Sequence, residues 1–177
     1  MTQSLMLDIE TLGQSPDAVV LSAGAVSFNR DGITDKKEWF LEVEPQIKLG
    51  RKIDYATLQW WNKQSDEARA IFQRQNTVNI TYFCHELATF FTTNCGKDGR
   101  VWGNGASFDM PIIESLIKDN KMTVPWSYWR HRCFRTIKGM FPLDVPFEGI
   151  KHGALPDALH QAKYLVRLFS ERPELDK

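Results

Sequence analysis

The sequence predicts an α/β fold, a sheet with helices packed against it, and three observations predict it. Apolar runs of strand length occupy residues 5–43, helical spacing of apolar residues takes over after residue 57, and a short buried-strand signal, Val101-Trp102, interrupts the helices. No internal repeat or low-complexity segment breaks the pattern. The 177 residues, 42% hydrophobic and 25% charged, suit one domain with a sizeable core, expected over residues 1–172 with a frayed tail at 173–177.

Leu5 to Ile9 and Ala18 to Phe28 read as two strands, with Gly13, Ser15 and Pro16 supplying the turn between them. A third strand is expected from Glu38 to Val43 after the Asp31-Gly32 turn, which makes an antiparallel meander. From Thr57 to Gln75 the apolar positions Leu58, Trp61, Ala68, Ile71 and Phe72 take helical spacing, with Ser65 as a cap between two short helices. Ile80 to Phe91 repeats that spacing on Phe83, Leu87, Phe90 and Phe91, and Asn94 to Gly99 stops it. After the Val101-Trp102 strand, helices are expected from near Ser107 to Lys118 and from Leu155 to Phe169, with Pro156 in the first turn of the latter.

Composition excludes more than it selects. Lys+Arg and Asp+Glu both total 22, so no whole-molecule field points to nucleic acid, and such a partner must be argued from a local site. Three cysteines, Cys84, Cys95 and Cys133, lack the number and spacing of a disulfide framework or a zinc site and read as reduced packing residues. No apolar run is long enough to span a membrane, and the first residues reach two acids before any signal-peptide-like stretch; a cytoplasmic protein without a membrane partner is expected.

Three segments carry chemistry. Asp8-Ile9-Glu10 ends the first strand, where the two-residue period puts both carboxylates on one face and Ile9 on the other. Such a pair is costly in a sheet unless a cation lies between the acids, and hard oxygen donors select Mg²⁺ or Mn²⁺; a solvated strand end is the plain alternative. Asp109 follows the turn Gly103-Asn104-Gly105 and enters a helix, where an acid is also favoured simply by the macrodipole. His152 stands on a loop five positions before Asp157, itself in the first turn of the last helix. Each segment alone has an ordinary explanation, but their joint occurrence in this order does not.

The blocks LDIETLG, GNGASFD and HGALPDA resemble the three exonuclease motifs of the DnaQ-like, or DEDD, superfamily in its histidine-bearing (DEDDh) subclass. That superfamily includes polymerase proofreading domains, RNase T and oligoribonuclease. The resemblance runs from residue 8 to residue 157, and the His-to-Asp spacing is its most specific part. Around Thr57 to Gln64 the chain departs from RNase T and oligoribonuclease and looks closer to small exonucleases of phages and prophages. The resemblance implies an RNase H-like fold, a five-stranded mixed β-sheet flanked by α-helices. It also implies two Mg²⁺ or Mn²⁺ ions bridged by Asp8, with Glu10 and Asp157 on the ion that holds the attacking water and Asp109 serving the other. His152 would be the general base, the substrate DNA or RNA with a free 3′ end, and the product a nucleoside 5′-monophosphate.

By the same resemblance, Thr11 and Leu12 should touch the terminal nucleotide, Leu12 pressing on the base, with Asn104 and Phe108 as second candidates. Trp60, Trp61 and Gln64 offer a stacking platform, although adjacent tryptophans on a helix cannot share one face. Trp126 to Lys138 gathers Arg130, Arg132, Arg135 and Lys138 among aromatics, which suits a nucleic-acid backbone; the alternative is a solvated basic face that serves a homodimer interface. His85, His131 and His160 have no motif around them and are assigned packing or surface roles. Against exonuclease action stand an RNase H-like endonuclease, or a structure-specific nuclease, and a non-catalytic nucleic-acid-binding module on the same fold.

Overall fold

A computed structural model describes residues 3–105 and 107–176. Its centre is β1 (Ser4–Thr11), an eight-residue strand buried throughout. β1 pairs antiparallel with β2 (Val20–Asn29), which pairs antiparallel with β3 (Gly32–Phe40); on its other side β1 pairs parallel with β4 (Arg100–Gly103), and β4 with β5 (His131–Cys133). The order β3-β2-β1-β4-β5 is the mixed five-stranded sheet that the sequence motifs imply.

Helices cover both faces, and β1 shows why. Leu5, Leu7 and Ile9 pack with α4 (Ile80–Asn94) and α5 (Asp109–Asp119), whereas Met6 packs with α7 (Ala154–Glu171) on the opposite side. Side chains alternate across a strand, so Asp8 and Glu10 belong to the α7 side. Between β3 and α4 lie α1 (Val43–Lys48), α2 (Tyr55–Trp61) and α3 (Asp66–Arg69); α6 (Phe134–Met140) follows β5. Ser65 caps α3 by accepting from the Ala68 amide at 3.3 Å, as the sequence predicts.

Two expectations change. β3 begins at Gly32 and ends at Phe40, earlier than the 38–43 segment, and Val43 opens α1 instead. The strand lies at the sheet edge with Asp35, Lys36 and Thr34 exposed, and charged edge strands lack the apolar alternation by which strands are read. β5 and the start of α6 fall in the Trp126–Lys138 basic segment, whose charges hid a strand of three residues. Beyond Arg172, where fraying is expected, Pro173–Leu175 form a 3₁₀ turn and Asp176 meets buried Arg100 at 2.8 Å; Lys177 lies outside the described residues. Among the described residues no helix is long and apolar enough to cross a membrane.

The start of α7 is set against the sheet by Gly24, the β2 partner of Asp8. A Cβ at Gly24 would overlap the Ala154 carbonyl and come within 2.5 Å of Leu155 N, which is backbone and cannot rotate away. Glu38 Oε1 from β3 accepts the Leu155 amide at 3.3 Å, covering a helix-start donor that Gly153 at the cap leaves without a side-chain partner. Gly24→Ala is therefore expected to destabilise the chain by about 1–3 kcal/mol, or roughly 2–4 °C of Tm per kcal/mol, because α7 must lift from β2. Thermal unfolding measures this, and an unchanged Tm would show that the close approach is not needed.

Candidate active site

The motif residues come from four elements and meet in one place. Asp8 and Glu10 end β1, Asp109 opens α5 just past the end of β4, Asp157 sits in the first turn of α7, and His152 lies on the loop before it. Asp8, Glu10, Asp109 and His152 line a cleft of about 520 Å³ together with Ile9, Thr11, Gly13, Gln14, Ala56, Thr57, Trp60, Asn104, Phe108 and Arg135. Donor atoms of Glu10, His152 and Asp157 all lie within 4.8 Å of one another. Gly103 makes room for Asp109, since a Cβ there would stand 2.8 Å from its Oδ2.

Asp8, Glu10 and Asp109 are buried and Asp157 is half-buried. Burial first, then Asp109, Glu10 and Asp157 in turn, push the Asp8 carboxyl well above its usual range, while a 2.8 Å hydrogen bond from Gln161 Nε2 pulls the other way. Burial, with Asp157 and Asp109 adding, raises Glu10 to about 8. Burial raises Asp109 to about 7 against backbone hydrogen bonds at Asp109, Ile9 and Asn104 and the charge of Arg135. Burial also raises Asp157, opposed by the His152 amide, which donates to Asp157 Oδ2 at 2.8 Å. Asp109 Oδ2 is buried and finds no hydrogen-bond partner among the described residues. Oxygen donors that are crowded, desolvated and short of partners are a donor set suited to divalent cations.

The other expected contacts divide. Thr11, Asn104 and Phe108 line the cleft. Leu12 and Trp61 do not: Leu12 is 4% and Trp61 1% exposed, packed with Val19, Leu21 and Ala68. The expectation that Trp61 contacts substrate is thus corrected: Trp61 faces the core, and the cleft-facing member of the pair is Trp60. Arg130 pairs with Asp98 at 2.7 Å, and Arg132 Nη1 donates to the Trp129 and His131 carbonyls at 2.8 Å, so neither lines the cleft. Arg135 does, anchored by donation from Nη2 to the Asn104 carbonyl at 2.9 Å. Strand β5 and the turn into α6 separate these arginines in space although they are neighbours in sequence. His131 meets Glu114 at 2.8 Å, His160 packs on Phe147, and His85 is exposed, in keeping with structural roles. Gln161, which the motifs miss, carries a legible signal: it follows Asp157 by four residues on one helix face.

A mixed sheet with β1 at its centre, acids at the end of β1 and at the starts of α5 and α7, and a histidine before the last helix are the features of a DnaQ-like 3′-5′ exonuclease of the RNase H-like fold. The chain belongs to the 3′-5′ exoribonuclease Rv2179c-like domain family, which matches residues 3–169. It is 25% identical over 161 residues to an exodeoxyribonuclease of Enterobacteria phage T4, covering 74% of this chain and 68% of that protein. The nuclease domain of 3′hExo, a DEDDh family member solved bound to rAMP, is similar in fold with a TM-score of 0.64 at 10% identity, over 96% of this chain and 92% of that one. Cell-death related nuclease 4 (CRN-4) gives 0.62 at 14% identity, over 97% of this chain and 65% of that one, so this chain spans just under two thirds of its length. Exonuclease X, solved with 5′ overhanging duplex DNA, gives 0.57 at 13% identity, over 98% and 93%.

The raised carboxyls set a pH dependence. Between their ordinary values and about 8 for Glu10 or about 7 for Asp109, the folded, metal-free chain holds protons that the unfolded chain has released. Stability is thus fullest below the unfolded values and is lost as pH rises through the folded ones. In chelator, Tm should fall from roughly pH 5 to pH 8, and Glu10→Gln should shrink that fall. An equal fall in the variant would remove Glu10 as its source.

Proposed function

We propose that this chain is a two-metal-ion 3′-to-5′ exonuclease that releases nucleoside 5′-monophosphates from the 3′ end of single-stranded or 3′-overhang DNA or RNA. The observation that carries the reading is the convergence of Asp8, Glu10, Asp109 and Asp157 from three separated segments around one cleft with His152 at its side. The exoribonuclease description of the family and the exodeoxyribonuclease name of the phage relative support testing both sugars.

Asp8, Glu10, Asp109 and Asp157 would hold the two Mg²⁺ or Mn²⁺ ions; the orphaned Oδ2 of Asp109 and the proximity of Glu10 to Asp157 fit such a donor set. When bound, such ions make water a better nucleophile and stabilise the entering and leaving oxygens of an in-line displacement. Thr11, Asn104 and Phe108 form walls against which the terminal nucleotide lies. Arg135 supplies a positive charge in a cleft that also carries Asp8, Glu10 and Asp109, and there it attracts the phosphate backbone. His152 accepts the proton of the attacking water. The water oxygen bonds to phosphorus, the bond to the 3′ oxygen of the preceding nucleotide breaks, and that oxygen takes a proton from solvent to become the new 3′-hydroxyl. The terminal nucleotide leaves with its 5′-phosphate.

End-labelled single-stranded, duplex and 3′-overhang DNA and RNA, each with Mg²⁺, Mn²⁺ or chelator, test this directly. A ladder shortening from the 3′ end, mononucleotide products and loss of activity in chelator are expected; cleavage of circular single strands would overturn exonuclease action. His152→Ala should lower turnover by about 10²–10⁴-fold while Mn²⁺ binding measured by calorimetry stays largely intact. Near wild-type turnover in that variant removes His152 from the mechanism. Arg135→Ala should raise KM for oligonucleotides and reduce the slope of log affinity against log salt by about 1. An unchanged slope would place Arg135 outside the substrate contact.

A further inference from the structure

Trp60 has an exposure that core packing does not explain. It is consecutive with Trp61 on α2, and residues one apart on a helix point about 100° away from each other. Trp61 takes the buried direction: it is 1% exposed, meets Phe72 edge-on at 5.4 Å, and donates from Nε1 to the Thr11 carbonyl at 2.9 Å. Thr11 is the residue after Glu10, so Trp61 is tied to the end of β1 that bears the acids. Trp60 remains 41% exposed and forms part of the cleft wall. Its ring meets Trp61 at 5.1 Å and 78°, and on its other side meets the His152 imidazole at 4.9 Å and 82°.

His152 needs such a neighbour. Its backbone takes the left-handed conformation, φ +63°, on a loop that Gly149 enters at φ +108°. Its amide is pinned by Asp157, but an amide bond leaves the side-chain torsions free. An edge-to-face aromatic contact sets the direction of a ring without using one of its nitrogens as a hydrogen bond would.

We propose that Trp60 is a positioning residue for His152: through Trp61 and the Thr11 carbonyl, the edge-to-face rings reference the imidazole to the acid-bearing end of β1. The assignment rests on the reading of His152 as proton acceptor. A merely stacking Trp60 would act on substrate affinity, whereas a positioning Trp60 acts on turnover.

The test uses the full chain with Trp60→Ala and Trp60→Phe, saturating Mn²⁺ and a 3′-labelled oligonucleotide, alongside imidazole carbon-proton NMR spectra. With four histidines in the sequence, the His152 signal is assigned by its loss in His152→Gln. Trp60→Ala should lower kcat by about 10- to 100-fold with KM held within about threefold, and Trp60→Phe should recover kcat to within about threefold. The His152 resonance should move in Trp60→Ala while the other three stay. A raised KM at unchanged kcat would make Trp60 a base platform and overturn the assignment, as would an unmoved His152 signal in an active enzyme. If the wild-type chain cleaves neither DNA nor RNA, the exonuclease reading itself fails and this assignment with it, even though the NMR shift would still report the ring contact.

Discussion

Repulsion among the carboxylates gathered at the end of β1 is the force that the surrounding architecture has to contain. Asp8 lies in the central strand opposite Gly24 of β2, buried among the residues that line the cleft. Desolvation and neighbouring charge act in the same direction on Asp8 and Glu10, so the acids favour protonation until a cation joins them. Gln161 donates to Asp8, backbone amides and Arg135 favour ionised Asp109, and the His152 amide does the same for Asp157. Asp8, Asp109 and Asp157 each have some opposing contact, but burial is the largest influence on all four acids, and the site is held together by its scaffold rather than by its own interactions.

That scaffold is chiefly the contact of α7 with β2. Gly24 stands opposite Asp8 in the antiparallel pair, and its missing side chain lets the first turn of α7 reach the sheet. The same turn carries Asp157, and one turn later Gln161 reaches Asp8, so a single close approach places an acid and the donor that orients another. Glu38 adds a hydrogen bond from β3, which gives the outer strands a part in placing the helix. Small residues along α7, Ala158 and Ala162, continue the contact with Met6 and Val26.

The cleft is asymmetric in a way that suits a polyanion end. Acids line its floor, Arg135 brings a cation from α6 on one flank, and Trp60 brings an aromatic wall from α2. Both flanking residues stand on elements tied to the strand ends: Arg135 through the Asn104 carbonyl after β4, and the Trp60–Trp61 pair through the Thr11 carbonyl at the end of β1. Neighbouring polar groups such as Arg130 and Arg132 instead satisfy local partners.

The sequence by itself determined the α/β class, most helices, and the five motif residues that the fold gathers at one cleft. Hydrophobic periodicity survives in any helix or strand that buries one face, and the acid and histidine motifs are short spacings that folding leaves intact. It showed that adjacent Trp60 and Trp61 cannot share one helix face, but not which of the two is core. Tertiary structure alone decided which residues surround the centre. The path of β5 and α6 sends Arg135 to the cleft and leaves Arg130 and Arg132 outside it. Gly24 matters because of a helix 130 residues away, and Trp60 because His152 comes to rest beside it. Such roles depend on contacts between segments remote in sequence, and local spacing records which face a side chain takes but not what another part of the chain will put in front of it.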